Sequence, residues 1–185
     1  MPPPIPVVEA TDPRLSDFVA LNDPELRRLR ERSGGAEGGY FIAEGALVIR
    51  QLLCSPYRVR ALLLTPRRHE DLAEALVGVD APVYVGEADV VNAVSGFHLH
   101  RGALASAWRR PHPALADVAG AAELMVVAEG LNDHENLGSL FRNAAAFGVD
   151  AVVLDPTSAD PLYRRSVRVS MGHALRIPFT RAVGW

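Results

Sequence analysis

The sequence predicts an α/β protein made of two successive units. Three observations carry that prediction. Short apolar runs alternate with stretches of helical spacing over about the first hundred residues, the size of a small domain. Arg109-Arg-Pro-His-Pro113 then interrupts the pattern, and its two closely spaced prolines resist both helix and sheet. A strand–helix–strand pattern follows, as in a βαβ unit. The expected organisation is a flexible, proline-rich tail over residues 1–12, a first unit over 13–110, a linker over 111–117 and a second unit over 118–185.

Each element has a local reason. Met1-Pro-Pro-Pro-Ile-Pro-Val opens the chain in a form that suits a frayed, polyproline-like tail. Asp23-Pro24 pairs an N-cap residue with proline at the first helical position, so a short basic helix is expected to about residue 32. The Gly-rich residues 33–39 form a loop. Residues 40–44 (Tyr-Phe-Ile-Ala-Glu) are strand-like. Residues 46–53 have helical spacing, with Ile49, Leu52 and Leu53 on one side. Residues 58–64 form a second strand. Thr65-Pro66 starts a helix that carries Leu72, Leu76 and Val77 inward. Residues 82–85 form a third strand. Residues 87–94 form a short helix stopped by Ser95-Gly96, and residues 102–108 a fourth strand.

In the second unit, residues 124–128 (Leu-Met-Val-Val-Ala) have the length and apolarity of a buried parallel strand. A polar loop leads to Asn136, from which a helix runs to about Phe147. Gly148 ends it, where helices favour glycine. Residues 151–154 form the next buried strand.

Composition bounds the function. The chain has 185 residues, 49% of them hydrophobic, with a net charge of −3 and one cysteine, Cys54. A lone cysteine excludes an internal disulfide and suits a reducing cytoplasm. No apolar run approaches bilayer length, so no membrane partner is expected. The mild acidity makes no bulk case for nucleic acid. The distribution says more: all 19 basic residues are arginine. That is either the mark of a GC-rich genome or a set of phosphate-gripping forks. The clusters are Arg27, Arg28, Arg30 and Arg32; Arg67 and Arg68; Arg164, Arg165 and Arg168; and, smaller, Arg109 and Arg110.

The densest chemical signal runs from Glu129 to Gly148. It lies at the carboxyl end of a buried strand, where open α/β sheets place their sites. Leu137, Leu140, Phe141 and Ala144 make the core-facing stripe of the helix. Gly138 and Arg142, four residues apart, lie off that stripe, which leaves Arg142 free to face a cleft. Asn136 stands at the helix start, where free N–H groups favour an anion. On the residues alone, Asn136 is either a site residue or only a cap, and Arg142 either a site residue or a surface arginine.

Asn136-x-Gly138-x-x-x-Arg142-x-Ala144-x-x-Phe147-Gly148 resembles the first motif of the SpoU (TrmH) RNA methyltransferases of the SPOUT superfamily, with every position matched. Arg168-Val-Ser170-Met-Gly172, followed by Pro178, is similar to the family's stretch after its second strand. His173 departs from it, since the family often has a small residue there. Phe41-Ile-Ala-Glu44-Gly45 and the strands around it resemble the SpoU substrate-binding domain, an α/β sandwich akin to ribosomal RNA-binding proteins. The resemblance implies a trefoil-knotted catalytic domain, S-adenosyl-L-methionine as donor and a ribose 2′-hydroxyl as acceptor, in rRNA ahead of tRNA. It implies catalysis by Asn136 and Arg142; the role expected of Asn136 is to orient the ribose or Arg142 by hydrogen bonds. Ser170 and Gly172 fall to the donor. Arg27, Arg28, Arg30, Arg32, Glu44, Gly138, Arg164, Arg165 and Arg168 fall to RNA. The family's later donor-binding motifs do not occur before Trp185. The expectation is therefore a truncated chain, inactive by itself, from a cytoplasmic enzyme that is a homodimer when complete.

Other signals lead less far. His98 and His100 would share one face of a strand, but no third ligand accompanies them, and no metal is expected. The glycines at 34–39 lack the dinucleotide fingerprint, which argues against an oxidoreductase on a doubly wound sheet. Cys54 reads as a core residue rather than a nucleophile. The rival to a methyltransferase is a non-catalytic RNA-binding module.

Overall fold

The computed structural model describes residues 2–24, 39–97, 99 and 102–182. The basic helix expected to carry Arg27, Arg28, Arg30 and Arg32 lies outside the described residues, as do His98 and His100. The chain divides into two compact units, Met1–Arg109 and Arg110–Trp185.

The first unit is built on a five-stranded sheet. Its strands are β1 (Ile5–Pro6), β2 (Tyr40–Glu44), β3 (Val59–Leu64), β4 (Val83–Val85) and β5 (Ala103–Trp108), in the order β1-β4-β3-β5-β2. The β1, β4 and β3 strands run parallel, and β5 lies antiparallel between β3 and β2. Among the described residues three helices accompany it: α1 (Ala46–Leu53), α2 (Pro66–Asp71) and α3 (Ala88–Ser95). Helix α1 buries Val48, Ile49 and Leu52. On the sheet, Leu63 and Leu104 join Leu15 and Phe18 of a 3-10 turn (Pro13–Phe18) and Val91 and Val94 of α3 in one apolar cluster.

Two expectations fail in this unit. Residues 1–12 are not simply a loose tail: Ile5 and Pro6 pair with Tyr84 and Val85, Val7 N–H donates to Val85 O at 2.9 Å, and Val7 is buried. Proline is compatible with this because β1 is the edge strand, where a missing N–H leaves no gap in the ladder. Val77 does not point inward but is 68% exposed, because α2 ends at Asp71 and the following turns no longer keep helical phase.

A register shift between Val59 and Ala61 interrupts the β3–β5 ladder. Such irregularities re-aim side chains. The Arg60 guanidinium here lies 3.9 Å from the Trp108 ring centre and 4.5 Å from that of Tyr40. It donates from Nε and Nη2 to the two carboxylate oxygens of Asp17, at 2.9 and 3.0 Å. Ser106 Oγ donates to the same carboxylate at 2.5 Å. Removing one partner of such a largely buried pair strands the other charge. Arg60→Ala is expected to lower stability by about 2 kcal/mol, after discount for its partial exposure. Urea unfolding followed by Trp108 fluorescence checks this, and an unchanged midpoint would refute it.

The second unit holds three parallel strands, β6 (Met125–Ala128), β7 (Ala151–Leu154) and β8 (Phe179–Arg181), with β7 central. Its helices are α4 (Leu115–Ala121), α5 (His134–Ala146) and α6 (Arg164–Val169). The central β7 is wholly buried. Among the described residues β6, expected to be buried, pairs with β7 alone, and Val127 is 56% exposed. Apolar composition alone cannot tell a central strand from an edge one. The segment expected as linker belongs partly to this unit. Residues 115–117 are helical, Thr180 Oγ1 donates to Pro113 O at 2.7 Å, and the His112 and Phe179 rings lie 5.1 Å apart.

Candidate functional site

The strands β6, β7 and β8 deliver three carboxyl ends to one edge of their sheet, and the motif residues gather there around α5. That helix starts two residues earlier than expected. Its cap is Asp133, whose carboxylate accepts from the N–H groups of Glu135 and Asn136 at 2.9 and 2.8 Å. A charged acceptor reaching two free N–H groups takes the cap position, so Asn136 is not the cap but stands in the first turn. Its own side chain is left exposed toward a cavity of about 410 Å³, lined also by Val126, Leu131, Leu140, Asn143 and Phe147. Leu137, Phe141 and Ala144 form the buried stripe, whereas Leu140 is only partly buried at the rim of that cavity. Gly148, at φ 69°, lies just beyond the helix end.

Gly138 is buried, and its role is steric. A Cβ at this position would lie 2.7 Å from Val169 Cβ and 2.8 Å from Ser166 O, both on α6. The absent side chain lets α5 and α6 cross in close contact. Two further contacts accompany the crossing: Glu135 pairs with Arg165 at 2.9 Å, and the His134 and Tyr163 ring centres lie 4.0 Å apart with the rings tilted by 53°. Arg142 lies one turn beyond Gly138, exposed, with no hydrogen bond or ion pair among the described residues. Asn136 and Arg142 are about 120° apart around the helix and about 9 Å apart along it. They address different sides, so Asn136 does not orient Arg142 directly.

Arg164 and Arg168 are half-buried on α6, and Arg165 is exposed. Ser170 is fully buried: its Oγ donates to Val167 O at 2.9 Å and accepts from Ala174 N–H at 3.3 Å. Met171 and Gly172 follow with φ of 56° and 86°. Consecutive left-handed residues, one of them not glycine, mark a strained turn of the kind that collects at functional sites. Glu44 sits in the first unit, 5% exposed at the end of β2.

The sequence reading missed the clamp beneath these loops. Asp155, at the end of β7, accepts from Gly130 N–H at 3.2 Å, Thr157 N–H at 3.1 Å and Ser158 N–H at 2.9 Å, and from both the Thr157 and Ser158 hydroxyls. Arg181, at the end of β8, donates to the carbonyls of Asp155, Ser158 and Ala159 at 3.0, 2.9 and 2.9 Å. Ser158 Oγ in turn receives Leu131 N–H at 3.2 Å, and Ala159 N–H reaches Leu131 O at 2.8 Å. One carboxylate and one guanidinium thus stitch the loop after β7 to the loop that leads into α5. Only the Asp-Pro-Thr-Ser turn composition at 155–158 hinted at this.

The hydroxyl and N–H donors hold the Asp155 carboxyl well below the usual carboxylate range. Its ionised form is therefore favoured in the folded state over the unfolded one. That stabilisation is complete above the unfolded value of about 4 and is lost only as pH falls further, through the depressed folded value. Asp155→Asn should accordingly lower the melting temperature at neutral pH, with the difference from the parent shrinking in strong acid. Parallel melts at the two pH values check this, and a difference independent of pH would contradict it.

Comparison with known proteins bears on what this arrangement does. Residues 123–185 match the SpoU rRNA Methylase family. The match takes in most of the second unit. Asn136, Gly138, Arg142, Arg168, Ser170 and Gly172 all fall within the SpoU match. Over 179 residues the chain is 52% identical to an uncharacterized tRNA/rRNA methyltransferase of Mycobacterium tuberculosis, covering 97% of this chain and 61% of that protein. It is 25% identical over 157 residues to the 23S rRNA (guanosine(2553)-2′-O)-methyltransferase RlmP of Bacillus subtilis, covering 85% of this chain and 60% of the relative. The crystal structure of an AdoMet-bound rRNA methyltransferase from Sinorhizobium meliloti superposes with a TM-score of 0.73 at 25% identity, over 97% of this chain and 65% of that one. The α/β architecture is thus that of SpoU methyltransferases, and the chain spans about three fifths of the length of the relatives it matches. Among the described residues no helix is long and apolar enough to cross a membrane.

Proposed function

We propose that the protein carrying this chain transfers a methyl group from S-adenosyl-L-methionine to a ribose 2′-hydroxyl of structured RNA, rRNA ahead of tRNA. The observation that carries this reading is the exposed Arg142 fork, set just past a glycine-tight helix crossing inside the SpoU-matched segment. The donor supplies an electrophilic sulfonium methyl; the residues of this chain have to align and activate the oxygen that attacks it. A guanidinium remains protonated near neutral pH and is a poor base. Arg142 therefore acts by holding the phosphate beside the target ribose and stabilising the oxygen as its proton leaves. Asn136, on the cavity side of α5, orients the ribose by hydrogen bonding.

The turn over residues 170–172 is this chain's contribution to the donor side. Ser170 Oγ is committed to Val167 O, Met171 N–H to Arg168 O at 3.1 Å and Gly172 N–H to Val167 O at 3.0 Å. The turn therefore fits a donor through its shape and carbonyls, not through the serine hydroxyl. Arg164, Arg165 and Arg168 on α6, with Arg27, Arg28, Arg30 and Arg32 of the first unit, serve as phosphate contacts. The complete protein pairs with a second copy in this reading. Cytoplasmic residence follows from this substrate.

Ribose-methylation mapping in RNA from a strain lacking the gene tests the reading. One 2′-O-methyl mark should disappear, return with the gene, and stay absent with its Arg142→Ala form. A map unchanged by the deletion would refute it.

A further inference from the structure

The first unit carries a concave surface that the proposed chemistry does not use. It is a depression of about 740 Å³ at the end of the sheet where β3 begins and β5 finishes. Arg14, Tyr57, Arg58, Arg60, Tyr84 and Trp108 line it. Three of these side chains are aromatic and three are cations stacked on rings. Arg58 lies 6.0 Å from the Trp108 ring centre, Arg60 3.9 Å from the same ring, and Arg14 5.7 Å from that of Tyr84.

Charge bookkeeping decides what such a surface takes. Arg60 is held by Asp17 at 2.9 Å and Arg14 by Asp12 at 2.5 Å, and Asp80 also faces the depression. Arg58 is exposed and makes no ion pair among the described residues. A duplex backbone would require a row of uncompensated cations, which the described residues of this lining do not supply. What it offers is planar: half-buried Trp108 and Tyr57, with guanidinium planes fixed in place by their carboxylates. Planar faces beside a single available cation match unpaired nucleotides, whose bases stack on aromatic and guanidinium planes.

We infer that this depression binds an unpaired stretch of RNA, stacking bases on Trp108 and Tyr57 with Arg58 on the adjoining phosphate. The inference rests on the reading of the protein as an RNA enzyme, and it gives that reading a substrate feature: a stretch of single-stranded nucleotides.

Trp108 reports on its own occupancy. With Trp185 and any tryptophan that follows it in the intact protein replaced by phenylalanine, Trp108 is the one reporter left. The intact protein, without donor, is titrated with oligouridylate and, separately, with an RNA duplex of equal length. Oligouridylate should quench Trp108, and the duplex should not. By anisotropy of a labelled oligouridylate, Arg58→Ala should weaken binding about fivefold and reduce the salt slope by about 0.7. Trp108→Leu should weaken it about tenfold and Trp108→Phe should restore most of the affinity. Because Trp108 also packs on Arg60, the exposed Arg58→Ala variant separates lost contact from lost fold. No quenching, equal quenching by duplex, or unchanged affinity in Arg58→Ala would overturn the inference. A protein that methylates ribose without these signs has an idle depression. One that shows them but methylates no ribose overturns the enzymatic reading instead.

Discussion

Replacing Arg142 with alanine is expected to reduce methyl transfer by at least about two orders of magnitude, the usual cost of losing a group that stabilises developing charge. Stability should hardly change. Arg142 is exposed, and the buried stripe of α5 is formed by Leu137, Phe141 and Ala144, so its loss opens no cavity. Arg142→Lys should recover little, because an ammonium point charge does not reproduce a planar fork. Single-turnover kinetics on the intact protein, paired with thermal melts, check both halves. Near-normal turnover in Arg142→Ala would remove it from the mechanism.

Gly138→Val is expected to cost about 3 kcal/mol, at the upper end for overpacking. The first added carbon already meets Ser166 O at 2.8 Å, and backbone cannot swing aside as the tip of a side chain can. Helix propensity runs the other way, since a glycine inside a helix is unfavourable relative to alanine. A loss despite that gain would show that the helix crossing dominates. Because α6 carries Arg165 and Arg168, pushing it away from α5 should weaken RNA binding as well. Denaturant melts of the second unit give the first effect and RNA titration the second; a variant as stable as its parent would mean that the helices are not locked here.

Helices and strands with strong periodicity were legible from sequence. The β7 run is buried as its apolarity implies, and α1 buries Ile49 and Leu52 as its spacing implies, with Val48 rather than Leu53 completing the stripe. What stayed hidden depends on distant partners. Asp155 and Arg181 are 26 residues apart, and neither shows from its neighbours that the two clamp one loop. Arg60 reads as an ordinary strand residue until the register shift turns it between Tyr40 and Trp108. Pro6 looks hostile to a sheet until its strand proves to be an edge. In the candidate site, the motif placed Asn136, Gly138 and Arg142 on one helix, and all three lie on α5. It could not divide their labour, because Asp133 competes for the cap and the close contact at Gly138 requires the position of α6.

The central claim is methyl transfer to a ribose oxygen at this site. Its most direct measurement uses the intact protein, a methyl-labelled S-adenosyl-L-methionine and unmodified RNA from a strain lacking the gene, followed by complete alkaline hydrolysis. A methylated 2′-oxygen cannot assist cleavage of the next phosphodiester, so the account predicts label in alkali-resistant dinucleotides, and none when Arg142→Ala replaces the parent. Label released as mononucleotides, the mark of base methylation, or equal labelling by Arg142→Ala would contradict it.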